Sequence, residues 1–183
     1  RQCGVLQGRQ IRDLAAAAPD TPLLAYDIPH MAINGVSPNL LAGLARELPT
    51  FAGVKTSNND AQVIRGQIDA TPLDRIVLAG NERIALGSLS LGANGLISGL
   101  ATALPEPFVR LTEAFFSGDI AQAQREQKRV NRILDMIPTG KRIGAIKSLL
   151  SQRGIDVGPP VPPRPAVTES EWPAWPDIAR LLD

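Results

Sequence analysis

The sequence predicts an α/β fold built on a parallel sheet, and three observations point to it. Four short apolar runs, at residues 22–26, 51–55, 76–79 and 95–98, recur at steps of 19 to 29 residues. None alternates strictly between apolar and polar residues, which is the pattern of strands buried on both faces. The segments between them carry apolar residues at helical spacing, and strand–helix repeats of this length form βαβ units.

Each element has its own local reason. A leading helix over 7–18 is closed by Pro19-Asp20. The first run, Pro22-Leu23-Leu24-Ala25-Tyr26, ends in the only tyrosine of the chain, and Asp27-Ile28-Pro29 after it is turn chemistry. A helix over 38–48 places Leu40, Leu41, Leu44 and Leu48 on one stripe, with Ser37 as its N-cap before Pro38. The second run ends in Lys55, and Gly53 within it suggests a close approach of backbone. A helix over 60–68 repeats Val63, Ile64 and Ile68, and another over 82–91 ends at Gly92, a natural C-cap.

Beyond the fourth run the pattern becomes helical throughout. Residues 105–116 place Phe108, Leu111, Phe115 and Phe116 on an inner side. After Gly118, a long helix over 119–137 aligns Ile120, Ala123, Gln127, Val130, Leu134 and Ile137, with Arg125, Lys128, Arg129 and Arg132 on a solvated face. A further helix covers 140–152. The stretch 158–165, GPPVPPRP, must be extended, because proline fixes φ and keeps the preceding residue out of α space. It reads as a stiff connector to a last helix over 175–182, with a polyproline ligand as the alternative.

Bulk properties exclude several classes. Nineteen basic against eighteen acidic residues, with no basic block, argue against nucleic acid or an anionic membrane as the main partner. Cys3 is alone, so no internal disulfide forms, which fits a reducing cytoplasm. One histidine and one cysteine cannot build a typical transition-metal site, and no glycine-rich phosphate loop is present. No apolar stretch is long enough for a membrane span. The chain begins at Arg1 without methionine and reads as part of something already under way.

Four parallel strands, each followed by a helix, make half of an eight-stranded barrel, and half a barrel has two open edges. Either the sheet is open and doubly wound, or four further strands belong with it. The chemistry-bearing residues favour the second. Lys55 starts among apolar neighbours, and burial would lower the pKa of its amine and make it nucleophilic; a strand-end lysine is also free to snorkel into solvent. Tyr26 is either a proton carrier at a strand tip or a core tyrosine bonded to backbone. His30 is a lone loop histidine.

Taken in order, Tyr26-x-x-Pro29, Gly53-x-Lys55-x-Ser57, Ala79-Gly80-Asn81-Glu82 and the segment Gly-Ala-Asn-Gly-Leu-Ile-Ser ending at Ser98 resemble the C-terminal half of the dihydrodipicolinate synthase / N-acetylneuraminate lyase family of class I aldolases. The resemblance implies the C-terminal half of a (β/α)8 TIM barrel, strands five to eight, followed by extra C-terminal helices. It places the second half of the barrel at 1–117 and the helical extension, with its proline-rich connector, at 118–183. It implies a carbon–carbon (or carbon–oxygen) lyase that acts through a covalent Schiff base on Lys55, with no cofactor and no metal.

In that resemblance Lys55 matches the Schiff-base lysine and Tyr26 the tyrosine that shuttles protons. Ser57, Gly80, Glu82 and Ile97 fall where the family contacts substrate. The implied partners are pyruvate or another 2-keto acid, an aldehyde, and further copies of the chain in a dimer or tetramer. Dihydrodipicolinate synthases follow their tyrosine motif with a carboxylate-gripping arginine; this chain has Met31 there. A 2-keto-3-deoxy sugar-acid type of substrate is therefore expected ahead of pyruvate plus aspartate semialdehyde. A truncated, non-catalytic piece is the reading of another class.

Overall fold

The computed structural model describes residues 2–168 and 170–182, with side chains from Gln7 onward, so the Cys3 thiol lies outside the described residues. The chain divides into two compact units, Arg1–Ile97 and Ser98–Asp183.

The first unit begins with α1 (Gln2–Ala17), followed by β1 (Leu23–Asp27), a one-turn α2 (Pro29–Ala32) and α3 (Pro38–Glu47). β2 (Phe51–Thr56), α4 (Ala61–Ala70), β3 (Ile76–Ala79), a 3-10 turn at Glu82–Ile84, α5 (Ala85–Leu91) and β4 (Gly95–Leu96) complete it. The four strands are parallel and stand in sequence order β1-β2-β3-β4. Strand order that never reverses is that of a singly wound sheet, and it departs from the doubly wound alternative.

The helix boundaries follow local chemistry. The Ser37 side chain accepts from the Leu40 N–H and Asp60 from the Gln62 N–H. Caps of this kind are worth about 1 kcal/mol each. Gly92 ends α5 in the left-handed region at φ 113°. The proline after Ile28 begins a short helix where a plain turn was expected, because Pro29 suits the first helical position.

One expectation is overturned. The strands are not buried on both faces: β1 and β3 alternate, with Ala25, Val77 and Ala79 buried while Leu24, Tyr26 and Ile76 are exposed. The covered face packs Ala25, Val54, Val77 and Phe51 against Leu41 and Leu44 of α3, with Ile11 of α1 and Ile68 of α4 closing the cluster. The runs lack polar residues at alternate positions because the opposite face, although open, is also largely apolar.

The register contains one irregularity that decides the site. Leu23 pairs with Phe51 but Leu24 pairs with Gly53, so Ala52 is an extra residue in β2. Phe51 and Val54, three positions apart, consequently both point into the helix-side core. A regular strand would send them to opposite faces. The bulge places Lys55 on the open face. Gly53 carries it at φ 139°, and a Cβ there would lie 1.9 Å from the Ile76 carbonyl oxygen. The close backbone approach is to β3, and only glycine fits it.

The second unit holds α6 (Glu106–Phe116), α7 (Ile120–Met136), α8 (Arg142–Gln152) and α9 (Trp175–Leu182), after a 3-10 turn at Leu100–Thr102. Phe108 and Leu111 are buried as expected, but Phe116 is 62% exposed and meets Phe115 edge to face. It lies eight residues, or about 80°, past Phe108 on the helical wheel, outside the apolar stripe. In α7 the buried stripe includes Glu126, which lies 3.2 Å from the Arg110 guanidinium and 3.7 Å from that of Arg129. The proline-rich stretch packs on α8: Lys147 donates to the Val157 and Gly158 carbonyls, and a Cβ on Gly144 would lie 2.5 Å from the Pro165 carbonyl. Among the described residues no helix is long and apolar enough to cross a membrane.

Candidate active site

Parallel strands all end at one edge of the sheet, and the predicted site residues gather there. Tyr26 and Lys55 are direct cross-strand partners in register, one residue before the ends of β1 and β2. Ser57, Gly80 and Ile97 are each the first residue beyond β2, β3 and β4. Each donates its N–H to the last carbonyl of the preceding strand: Ser57 to Asp27 at 2.8 Å, Gly80 to Thr56 at 2.7 Å, Ile97 to Ala79 at 2.9 Å. The ladder thus runs one step past the strands and holds three loop residues as firmly as sheet residues.

Four of the six residues converge. The Lys55 amine donates to the Tyr26 hydroxyl oxygen at 2.5 Å and to Ser57 Oγ at 2.8 Å. It also lies 3.8 Å from the Tyr26 ring centroid. Gly80 borders the trio: a Cβ there would lie 2.5 Å from both Lys55 Cε and Ser57 Oγ. Glu82 opens the 3-10 turn two residues on, and Ile97, 47% exposed, lies just past β4; both stand at the same sheet end but outside the hydrogen-bonded trio.

The hydrogen bond from Lys55 lowers the pKa of the Tyr26 phenol, assisted by a hydrogen bond with Ser57, while partial burial works in the opposite direction. Ionisation of the phenol becomes easier, because a hydrogen-bond donor aimed at the oxygen stabilises its charged form. The surroundings are wetter than the sequence suggested. Lys55 is half-buried and Tyr26 is 54% exposed, since both project from the open face of the sheet. A primary amine within hydrogen-bond reach of two hydroxyls is an arrangement that can support nucleophilic attack with proton transfer over one hydrogen bond.

Sequence reasoning missed the layer beneath. Asp27, read as a turn residue, is fully buried and accepts from Val36 N–H at 2.8 Å, Thr56 Oγ1 at 3.0 Å and Gln67 Nε2 at 2.8 Å. The available signal was its spacing of two from Ala25, which puts both on the covered face. His30 is exposed on α2, and the loop after it carries Ile33 at φ 66°, a strained conformation for a β-branched residue. Met31, also on α2, is 68% accessible.

Comparisons with known proteins agree on one family. Residues 9–180 match the Dihydrodipicolinate synthetase family. A DapA-like lyase of Halobacterium salinarum is 37% identical over 144 residues, covering 79% of this chain and 47% of its own length. The 4-hydroxy-tetrahydrodipicolinate synthase of Methanopyrus kandleri is 30% identical, covering 81% of this chain and 49% of the relative. The N-acetylneuraminate lyase of Mediterraneibacter gnavus is 27% identical, covering 92% and 54%. The chain therefore spans about half the length of the curated relatives it matches. Among solved structures, the sialic acid aldolase of Ruminococcus gnavus superposes with a TM-score of 0.87 at 26% identity, over 96% of this chain and 59% of that one. A catalytic lysine mutant of the same aldolase superposes equally well.

Proposed function

The chain belongs to the dihydrodipicolinate synthetase family, and from that premise we propose that it carries the reacting residues of a Schiff-base-forming, class I lyase or aldolase that joins or cleaves pyruvate and an aldehyde. The observation that carries this reading is the Lys55 amine held 2.5 Å from the Tyr26 hydroxyl at the C-terminal edge of a parallel sheet. Barrel folds keep their chemistry at that edge.

In this reading the neutral Lys55 amine adds to the carbonyl carbon of a 2-keto acid. Loss of water leaves an iminium at C2. In cleavage it accepts the electron pair of the C3–C4 bond and becomes an enamine. In condensation it first loses a C3 proton to become the enamine, whose electron pair attacks the aldehyde carbon. Tyr26 carries the proton lost or gained at the aldehyde oxygen. Ser57, Gly80, Glu82 and Ile97 shape the pocket. The covalent adduct takes the place of a cofactor. The aldolase whose catalytic lysine mutant superposes on this chain supports lysine chemistry.

The sheet forms strands five to eight of a (β/α)8 barrel, with residues 118–183 as the helical extension. Support comes from its open face, on which Leu24, Tyr26 and Ile76 are 41%, 54% and 39% exposed. Four further strands would cover that face, close both edges and dry the amine. The complete protein is a cytoplasmic homo-oligomer, a dimer or tetramer.

Met31 at the position of the carboxylate-gripping arginine favours a 2-keto-3-deoxy sugar acid. The relatives named N-acetylneuraminate lyase and sialic acid aldolase support that class, while the Methanopyrus relative supports the synthase alternative. Reducing the complete protein with borohydride in the presence of pyruvate, followed by peptide mass analysis, tests the chemistry. The expected result is a pyruvyl adduct on Lys55; an unmodified lysine under conditions of full turnover sinks it. A substrate panel tests the class, and condensation with aspartate semialdehyde alone would reverse the preference.

A further inference from the structure

Asp27 is a buried carboxylate whose partners are all neutral donors. Oδ1 accepts from the Val36 N–H, and Oδ2 accepts from the Thr56 hydroxyl, the Gln67 amide and, at 3.5 Å, the Asn58 amide. These partners come from four places: the end of the loop that follows β1, the last residue of β2, the loop beyond it and α4. Taking a carboxylate fully out of water is costly unless its oxygens are satisfied, and here each of them is.

The arrangement has a direction. Asp27 follows Tyr26, and its strand partner Thr56 follows Lys55, so the hydrogen bond between their side chains lies directly beneath the reacting pair. Asp27 also opens the loop whose far end it holds at Val36. Gln67 completes the clip by donating to the Val36 carbonyl at 2.9 Å. A flipped Gln67 amide would point its oxygen at two acceptors, so the carboxylate and that carbonyl together set its orientation. Asparagine has the same shape as aspartate but would turn an NH2 group toward donors, which is a mismatch.

We propose that Asp27 is a positioning residue for proton transfer: it locks the ends of β1 and β2 and the loop after β1, so that the Tyr26 oxygen stays within reach of a substrate held on Lys55. This rests on the reading of Lys55 as Schiff-base nucleophile and Tyr26 as proton carrier. The step it governs is removal of a methyl proton from the pyruvyl iminium. The C–H bond breaks, its electron pair moves into the new C=C bond, the iminium nitrogen is neutralised to an enamine, and the proton passes to the Tyr26 phenolate oxygen. Reversal with a solvent deuteron completes an exchange.

The test uses Asp27→Asn in the complete protein, with pyruvate alone in D2O. The borohydride adduct on Lys55 is expected to form as in the unaltered protein, with an unchanged pyruvate dependence. Deuterium exchange into the pyruvate methyl group is expected to fall about tenfold or more, because sub-ångström misplacement of a proton carrier is enough for that. Thr56→Val, which removes one donor and keeps the carboxylate, shows a smaller loss, and Thr56→Ser restores the rate. Exchange at the unaltered rate in a folded Asp27→Asn or Thr56→Val protein overturns the proposal. Absence of any adduct in the unaltered protein is a separate failure, that of Lys55 as nucleophile.

Discussion

Gly80 lies so close to Lys55 that a Cβ on it would come within 2.5 Å of the Lys55 Cε and 2.8 Å of its Nζ. The missing side chain is what lets the lysine stem reach Tyr26 and Ser57. Gly80→Ala is therefore expected to push the amine out of the trio while the backbone, which is not in the left-handed region, tolerates the change. Turnover should fall on the order of 100-fold with little shift in melting temperature, as a displaced reacting group predicts. Steady-state kinetics beside a thermal melt checks it. Equal losses of activity and stability would count against the packing argument.

The Tyr26 phenol gives up its proton more readily than a free tyrosine, because the Lys55 amine donates to its oxygen. Its ultraviolet titration, isolated as the difference between the unaltered protein and Tyr26→Phe, should have a midpoint below the ordinary value of about 10. Replacing Lys55 by methionine removes the donor, so the midpoint should move up. A midpoint that stays put in Lys55→Met would show that the hydrogen bond does not control the phenol.

Gly53 combines φ 139° with a backbone oxygen 1.9 Å from where its Cβ would stand. Gly53→Ala is expected to destabilise the protein by about 3 kcal/mol or more, since both strain and overlap oppose it. Denaturant unfolding measures this. A variant as stable as the parent would mean that β2 and β3 can separate without penalty.

Met31, exposed on α2, stands where the family resemblance leads one to expect a carboxylate-gripping arginine. Met31→Arg should lower KM for aspartate semialdehyde about tenfold, the value of one charge-assisted hydrogen bond. Sugar-aldehyde condensation should weaken in parallel. If neither KM moves, this position does not select the aldehyde.

Much of the scaffold was legible because its signals are local. Ser37 caps a helix three residues away, Gly92 ends one beside it, and the apolar stripe of Leu41 and Leu44 repeats within a single turn. The strand tips at Tyr26 and Lys55 were legible for the same reason. Asp27 was not, because a strand-end aspartate looks alike whether it turns to water or inward to Gln67, forty residues further on. Phe116 was misplaced because the neighbouring phenylalanine masked the edge of the stripe. Glu126 was not foreseen as buried, because its partner Arg110 belongs to a different helix.

Periodicity, caps and motif order by themselves determined the order of the four strands and the longer helices, the family resemblance and the candidacy of Tyr26, Lys55, Ser57 and Gly80. They could do so because those signals act within a few residues of chain. Only the tertiary structure decided that Ala52 bulges, that Lys55 therefore shares the open face with Tyr26, that Gly80 makes room for its amine and that Asp27 lies beneath the pair. These outcomes depend on register and contact between strands, where residues 29 positions apart meet at 2.5 Å. No local pattern encodes which face a side chain takes once a single residue is inserted into a strand.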